Sequence, residues 1–321
     1  MTRIAFWDVS GGHGTPTLVY HLAHMFADQG RRPLLVDLDP TSRLTSMCVP
    51  EDRLIELWQT DRGDTTIAGC VRQLMYSDAT PEPEIDELRP GLGLLPGNLS
   101  LAVFEEPLAA AWSDAGAPEA IVVSSVIHRA TSLAEQAHAA DIALMNLGPG
   151  LGAINRAALL AADHVITPLA PDLTSYYGLH VLGLALSTWR AAWQARATSP
   201  PGQIRPLGYI ITTPAIALNR RPQAQRWQAM IPDAFRRARL EPPAPATAPG
   251  TDPSTDPWCL GLMRDYPSLR TLAREARRPM FHLRPADGAI GAQMTAVVRC
   301  REDFDRLART ILTRAAELSA P

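Results

Sequence analysis

A short apolar run, Arg3–Val9, leads into Ser-Gly-Gly-His-Gly and then into a segment with helical spacing. This strand–loop–helix unit constrains the fold more than any other feature of the chain. Leu18, Val19, Leu22, Ala23, Phe26 and Ala27 recur at the interval that puts them on one helix face. Pro16 suits the first turn of that helix, where its missing N–H would have no partner anyway. Gly30 stops the helix, and Pro33–Asp39 reads as a second buried strand. Two buried strands joined by a helix form a βαβ unit, so the fold class is α/β. The expected architecture is a doubly wound, mostly parallel sheet flanked by helices.

The alternation continues. Leu92–Pro96, Asp141–Leu147, Asp163–Leu169 and Pro206–Thr212 read as strands. Leu99–Trp112, Glu119–Ala139, Ala153–Ala162 and Leu173–Arg196 read as helices, and a final amphipathic helix carries Ile290, Met294, Val297, Val298, Phe304, Leu307 and Ile311. Ser77–Glu84, Thr198–Pro206 and Glu241–Pro257 read as loops. The last holds six prolines and is expected to be a surface loop at 241–257 within a single domain spanning 1–321.

With 46% hydrophobic and 20% charged residues, the chain can bury a large core. It has no apolar stretch near the roughly 20 residues of a membrane span. Cys48, Cys70, Cys259 and Cys300 are scattered, without a CxxC pair, and the first residues lack a signal-peptide layout. A cytoplasmic location is therefore expected. All 30 basic residues are arginine.

Gly11, Gly12 and Gly14 allow the close backbone approach that an anion needs at a helix N-terminus. Their surroundings, Ser10-Gly11-Gly12-His13-Gly14-Thr15-Pro16-Thr17 and Leu34-Leu35-Val36-Asp37-Leu38-Asp39-Pro40, resemble the deviant Walker A P-loop ATPases (ParA, Soj, MinD). That family's loop reads Lys-Gly-Gly-x-Gly-Lys-Thr-Thr, and its second strand ends in Val-Asp-x-Asp-Pro. The resemblance runs on through Leu94–Leu99, Leu147–Gly152, Ala161–Leu169, Glu275–Pro279 and Asp287–Ala289, in family order. It implies a P-loop NTPase-like fold, with Gly11, Gly12, His13, Gly14, Thr15, Thr17, Asp37 and Asn146 around the nucleotide.

The departures from the family fall on reactive positions. Ser10 replaces the lysine that reaches the partner subunit's nucleotide, and Thr15 replaces the lysine that bridges the β- and γ-phosphates. Pro16 replaces the threonine that holds Mg²⁺, and Asn146 the aspartate behind the metal. Asp39 survives where the family orients the attacking water, and it is the one catalytic role left open. Each lost preorganised group costs roughly 10²–10³ in rate, so the expectation is a non-hydrolysing protein. Three readings of the loop stay open: a structural relic, weak binding of ATP or ADP, and a genuine ATPase. The substitutions count against Mg²⁺, and no metal site is expected. As partners, the resemblance implies a homodimer or a heterodimer with an intact ParA-like paralogue, together with an unidentified protein partner.

Two arginine groups, Arg220, Arg221, Arg226, Arg236, Arg237 and Arg239, then Arg264, Arg270, Arg274, Arg277, Arg278 and Arg284, allow two readings. They are either solvated helix faces or a surface for non-specific DNA binding. The net charge of −3 favours solvated faces. A neighbouring arginine could also stand in for a missing lysine. His21 and His24 have no metal-ligand partners in spacing and are expected to have ordinary packing or surface roles.

Overall fold

The computed structural model describes residues 1–59, 65–114, 118–195, 202, 204–213, 222–238 and 252–319. Residues 241–251 of the proline-rich segment, and Arg220, Arg221 and Arg239, lie outside that set; Pro253–Thr255 forms a 3-10 turn.

Among the described residues, the strands are β1 (Thr2–Phe6), β2 (Pro33–Leu38), β3 (Asp86–Arg89), β4 (Leu92–Leu95), β5 (Ile142–Leu147), β6 (His164–Leu169), β7 (Arg205–Thr213) and β8 (Cys259–Arg264). They form one sheet in the order β3-β4-β2-β5-β1-β6-β7-β8. Every pairing is parallel except β3 with β4. The expected doubly wound α/β class is therefore the observed one.

Alternation along the central strands builds a core on each face. Ile4, Phe6, Leu35, Leu144 and Ile166 point to one side, and Ala5, Trp7, Val36, Met145 and Val165 to the other. The first face is covered by α1 (Thr15–Asp28), α11 (Pro267–Ala276) and α12 (Ala292–Ser319); the second by α4 (Ile67–Tyr76), α7 (Val126–His138), α8 (Ala153–Ala161) and α9 (Leu173–Gln194). The remaining helices are α2 (Arg43–Cys48), α3 (Glu51–Trp58), α5 (Glu105–Ser113), α6 (Pro118–Ser124) and α10 (Pro222–Ala238).

Some expected boundaries move, for local reasons. The first strand stops at Phe6, because Asp8 Oδ1 accepts from Ser10 N (3.1 Å) and turns the chain. The single helix expected over Glu119–Ala139 divides at Ser125, whose Oγ donates back to Val122 O. Leu99–Phe104 is a 3-10 turn started by Asn98, whose side chain accepts from Ser100 N, so an α-helix begins only at Glu105. Ile290 precedes the last helix rather than lying in it. The charged edge strand β3 and helices α2 to α4 have no counterpart in the sequence expectation.

At its N-terminal end β1 is clamped to α7. The Arg3 guanidinium donates twice to Glu135, Nε to Oε1 and Nη2 to Oε2, both at 2.6 Å. Both residues are buried.

Candidate functional site

Three loops meet at the C-terminal ends of β1, β2 and β5, beside the point where the chain turns from one side of β1 to the other. Open α/β sheets bind ligands in such a crevice. The loops are Trp7–Gly14, Asp39–Thr41 and Gly148–Gly150. Gly150 N donates to Val9 O (3.0 Å) and Trp7 Nε1 to Gly150 O (3.1 Å), so the first and third loops are tied together.

Gly11, Gly12 and Gly14 all have left-handed backbones, with φ of 71°, 89° and 75°. A Cβ at Gly11 would also sit 3.0 Å from Pro149 Cβ. Gly14 leads into α1, which has no side-chain cap and no acid in its first turn. Among the described residues, the amides of Gly12, His13, Gly14 and Thr15 have no protein acceptor. Unpaired amides at a helix N-terminus form a cradle for an anion.

Asp8, absent from the sequence-based site, stands beside the cradle. Its Oδ1 accepts from Ser10 Oγ (2.8 Å), and its Oδ2 lies 2.6 Å from His13 Nδ1. His13 Nε2 faces Asp172 Oδ2 (3.5 Å) and Ser175 Oγ (3.4 Å). His13 thus closes the glycine loop upon itself and against the start of α9. Burial opposes protonation of His13, but the hydrogen bond and charge of Asp8, helped by Asp172, outweigh it and hold the pKa above 6.5. A raised folded pKa gives stability that is complete below the ordinary value and is lost as pH rises through the folded one. The thermal midpoint should fall as pH rises above 6.5, and His13→Gln should flatten that part of the profile. Parallel profiles for the two proteins would refute the link.

Asp37 and Asn146 are fully buried. Asp37 Oδ1 accepts from Asn146 Nδ2 (2.9 Å), and Oδ2 accepts from Thr45 N (2.8 Å) and Thr45 Oγ1 (2.7 Å). Burial pushes the Asp37 pKa up to about 6 despite those donors. Asp39 Oδ1 accepts from Thr41 N (2.9 Å) and Oδ2 from Thr41 Oγ1 (2.7 Å). Thr15 is buried, and Thr17 Oγ1 lies 3.9 Å from Met47 Sδ. The glycine loop, Thr15, Thr17 and Asp39 line one cavity; Asp37 and Asn146 lie beneath it.

That cavity, about 1200 Å³, has a wall that sequence reading did not assemble. Arg43, at the start of α2, and Arg270, Arg274, Arg277 and Arg278, on and after α11, all line it. His21 ties α1 to the 3-10 turn Met280–His282 that follows α11: its Nδ1 lies 2.7 Å from Thr17 O, and its Nε2 accepts from Met280 N (3.0 Å). The spacing of 270 and 274 was the available signal, since i and i+4 share a helix face; Arg277 lies past the end of the helix.

A nucleotide with Mg²⁺ fits this site in one half only. Phosphate oxygens match the free amides. The metal half is poorer, because Pro16 has no hydroxyl and the oxygens of Asp37 and Asp39 already accept internal hydrogen bonds. Among the described residues, no group of three His, Cys, Asp or Glu side chains could hold a metal, and no helix is long and apolar enough to cross a membrane.

Comparison with known proteins agrees with this geometry. Residues 1–194 match the family described as AAA domain (AAA_31). The chromosome-partitioning ATPase Soj of Thermus thermophilus is 29% identical over 212 residues, covering 65% of this chain and 68% of that protein. A candidate replication protein A of Sinorhizobium fredii is 29% identical over 176 residues, 53% of this chain and 40% of that protein. The match thus spans only 40% of the length of that relative. Apo McdA of Cyanothece shares the fold, with a TM-score of 0.64 at 16% identity, over 97% of this chain and 99% of that one.

Proposed function

The chain belongs to the AAA-domain family AAA_31 and, within it, to the ParA/MinD group, and from that premise we propose a non-hydrolysing member that binds ATP or ADP weakly. It acts by association rather than turnover, as a homodimer or beside an intact ParA-like paralogue, in partitioning or positioning. One observation carries the reading. The amide cradle is intact, while every group that would drive hydrolysis is replaced or internally bonded.

Positioning and charge neutralisation around the γ-phosphate supply nearly all of the catalysis in phosphoryl transfer. Here Thr15 offers no cation, Pro16 no metal ligand, and Asp39 has both oxygens engaged by Thr41. The similarity to a chromosome-partitioning ATPase supports the process, and the substitutions support the loss of turnover. Non-specific DNA binding through α10 is less favoured, because Arg236 and Arg237 both pair with Asp233 (3.5 and 2.5 Å).

The test is phosphate release from ATP by the wild type beside Thr15→Ala. Equal rates are expected, and release above that control ends the reading. A Thr15→Lys/Pro16→Thr double variant should bind ATP at least tenfold more tightly in Mg²⁺, since each restored charge-assisted contact is worth about 1.5–3 kcal/mol. Unchanged affinity would show that these positions do not face the phosphates.

A further inference from the structure

We propose that arginines of α2 and α11 replace the lysine and the metal as the counter-charge, so that the glycine-loop cavity captures polyphosphate without Mg²⁺. The proposal rests on the reading of the loop as a phosphate cradle, and it names what holds the other side of the ligand.

The cavity has two unlike walls. One is the loop with its free amides and the N-terminus of α1. The other carries Arg43, Arg270, Arg274 and Arg277. Arg270 is paired with Asp265 (2.6 Å), and the neighbouring Arg278 with Asp287 (3.4 Å). Among the described residues, Arg43, Arg274 and Arg277 have no ion pair. They are exposed within a concave, partly apolar surface, where field lines concentrate.

The acids on the same walls offset them only in part. Asp8 faces His13, while Asp39, whose hydrogen bonds come from neutral Thr41, and Glu51, in the first turn of α3, keep their charges against five arginines. Leu269 and Ala273 bury one side of α11 and leave Arg270 and Arg274 exposed towards the cavity, while Arg277 reaches it from the left-handed residue that ends the helix (φ 49°). The His21 bridge between Thr17 and Met280 anchors the turn that follows α11 to α1.

Such a wall repels a divalent cation and attracts a bare polyanion. Guanidinium groups also bond phosphate oxygens in pairs, which suits them to replace a metal as the clamp. The ligand class is a polyphosphate, either on a nucleoside or alone. Free ligand should bind more tightly than its magnesium complex, because magnesium removes charge that the arginines would otherwise meet.

The experiment is calorimetry with ATP and with inorganic tripolyphosphate, each in EDTA and in Mg²⁺. Binding in EDTA at least as tight as in Mg²⁺ is expected for ATP. Tripolyphosphate binding with similar affinity would place recognition in the phosphates, and much weaker binding would assign part of it to the nucleoside. Arg43→Ala and Arg274→Ala should each weaken binding about tenfold, and Arg274→Lys should recover part of the loss. Arg226→Ala, on the exposed face of α10 outside the cavity, should bind as the wild type does. Melting curves check that the variants fold. A requirement for Mg²⁺, or wild-type affinity in both alanine variants, overturns the arginine clamp but leaves the cradle standing. No binding of either ligand in either buffer removes the cradle itself, and the clamp with it.

Discussion

Asn146→Asp is expected to destabilise the fold by about 2–4 kcal/mol at pH 7, with most of the loss disappearing as pH falls towards 5. The substitution restores the acid that the family resemblance implies at this position, so its cost tests what the pocket beneath the loop now accommodates. Asn146 Nδ2 donates to Asp37 Oδ1 at 2.9 Å, in a place with no solvent exposure. An aspartate there removes the donor and sets a second carboxylate against the first. Two charges about 4 Å apart at an effective dielectric near 20 repel by roughly 4 kcal/mol. The pair can avoid that only by taking up a proton. Holding one on an ordinary carboxyl at pH 7 costs about 4 kcal/mol and falls by about 1.4 kcal/mol per pH unit. The shared proton returns a hydrogen bond, hence the lower end of the range. Asp37 already takes up its proton near pH 6, so the wild type has its own shallow dependence in this window, and the variant must be steeper. Urea midpoints at pH 5 and 7.5 decide it. A loss that is the same at both would assign the defect to packing. No loss at pH 7.5 would mean that the two side chains do not face each other as described. Recovery in millimolar Mg²⁺ would show that the metal position is still reachable once its acid returns.

What could be read from the chain alone depended on how local each signal was. The strand–loop–helix unit from Arg3 to Asp39 was legible because buried strands and a helix stripe have different periods, with glycines marking the turn. The loop and its departures could be located by position, and they lie together at one end of the sheet. The arginine wall was not legible. Arg43 and Arg274 are far apart in sequence, and nothing local distinguishes a helix face turned to a cavity from one turned to water. Asp8 was missed for a related reason. Its partner His13 is only five residues away, but whether the two meet depends on the left-handed glycines between them. Edge strand β3 escaped because its Asp-Glu-Leu-Arg has the charge expected of a protected sheet edge and no alternation.

Glu135→Ala should be the most damaging single change away from the cavity, at about 3–5 kcal/mol. The carboxylate takes two hydrogen bonds of 2.6 Å from Arg3, and both residues are buried. Deleting one partner of a buried pair costs far more than the pair contributes, because the other charge is left without water or counter-ion. Arg3 would keep Ser132 Oγ (2.7 Å), Ala161 O (3.4 Å) and the His128 ring, all neutral acceptors. His128 cannot help further: burial, and then Arg3 itself, hold its pKa down to about 4. The same reasoning predicts that Arg3→Leu/Glu135→Leu loses less than Glu135→Ala alone, since no charge is stranded. Denaturant unfolding of the three proteins checks the order, and a Glu135→Ala loss below about 1 kcal/mol would contradict it. The clamp holds the N-terminal end of β1, whereas the glycine loop leaves its C-terminal end. Under conditions where the variant is still folded, polyphosphate affinity should therefore match the wild type. A fall in affinity without unfolding would mean that strain passes along β1 into the loop, and that the sheet tunes the cradle rather than merely carrying it.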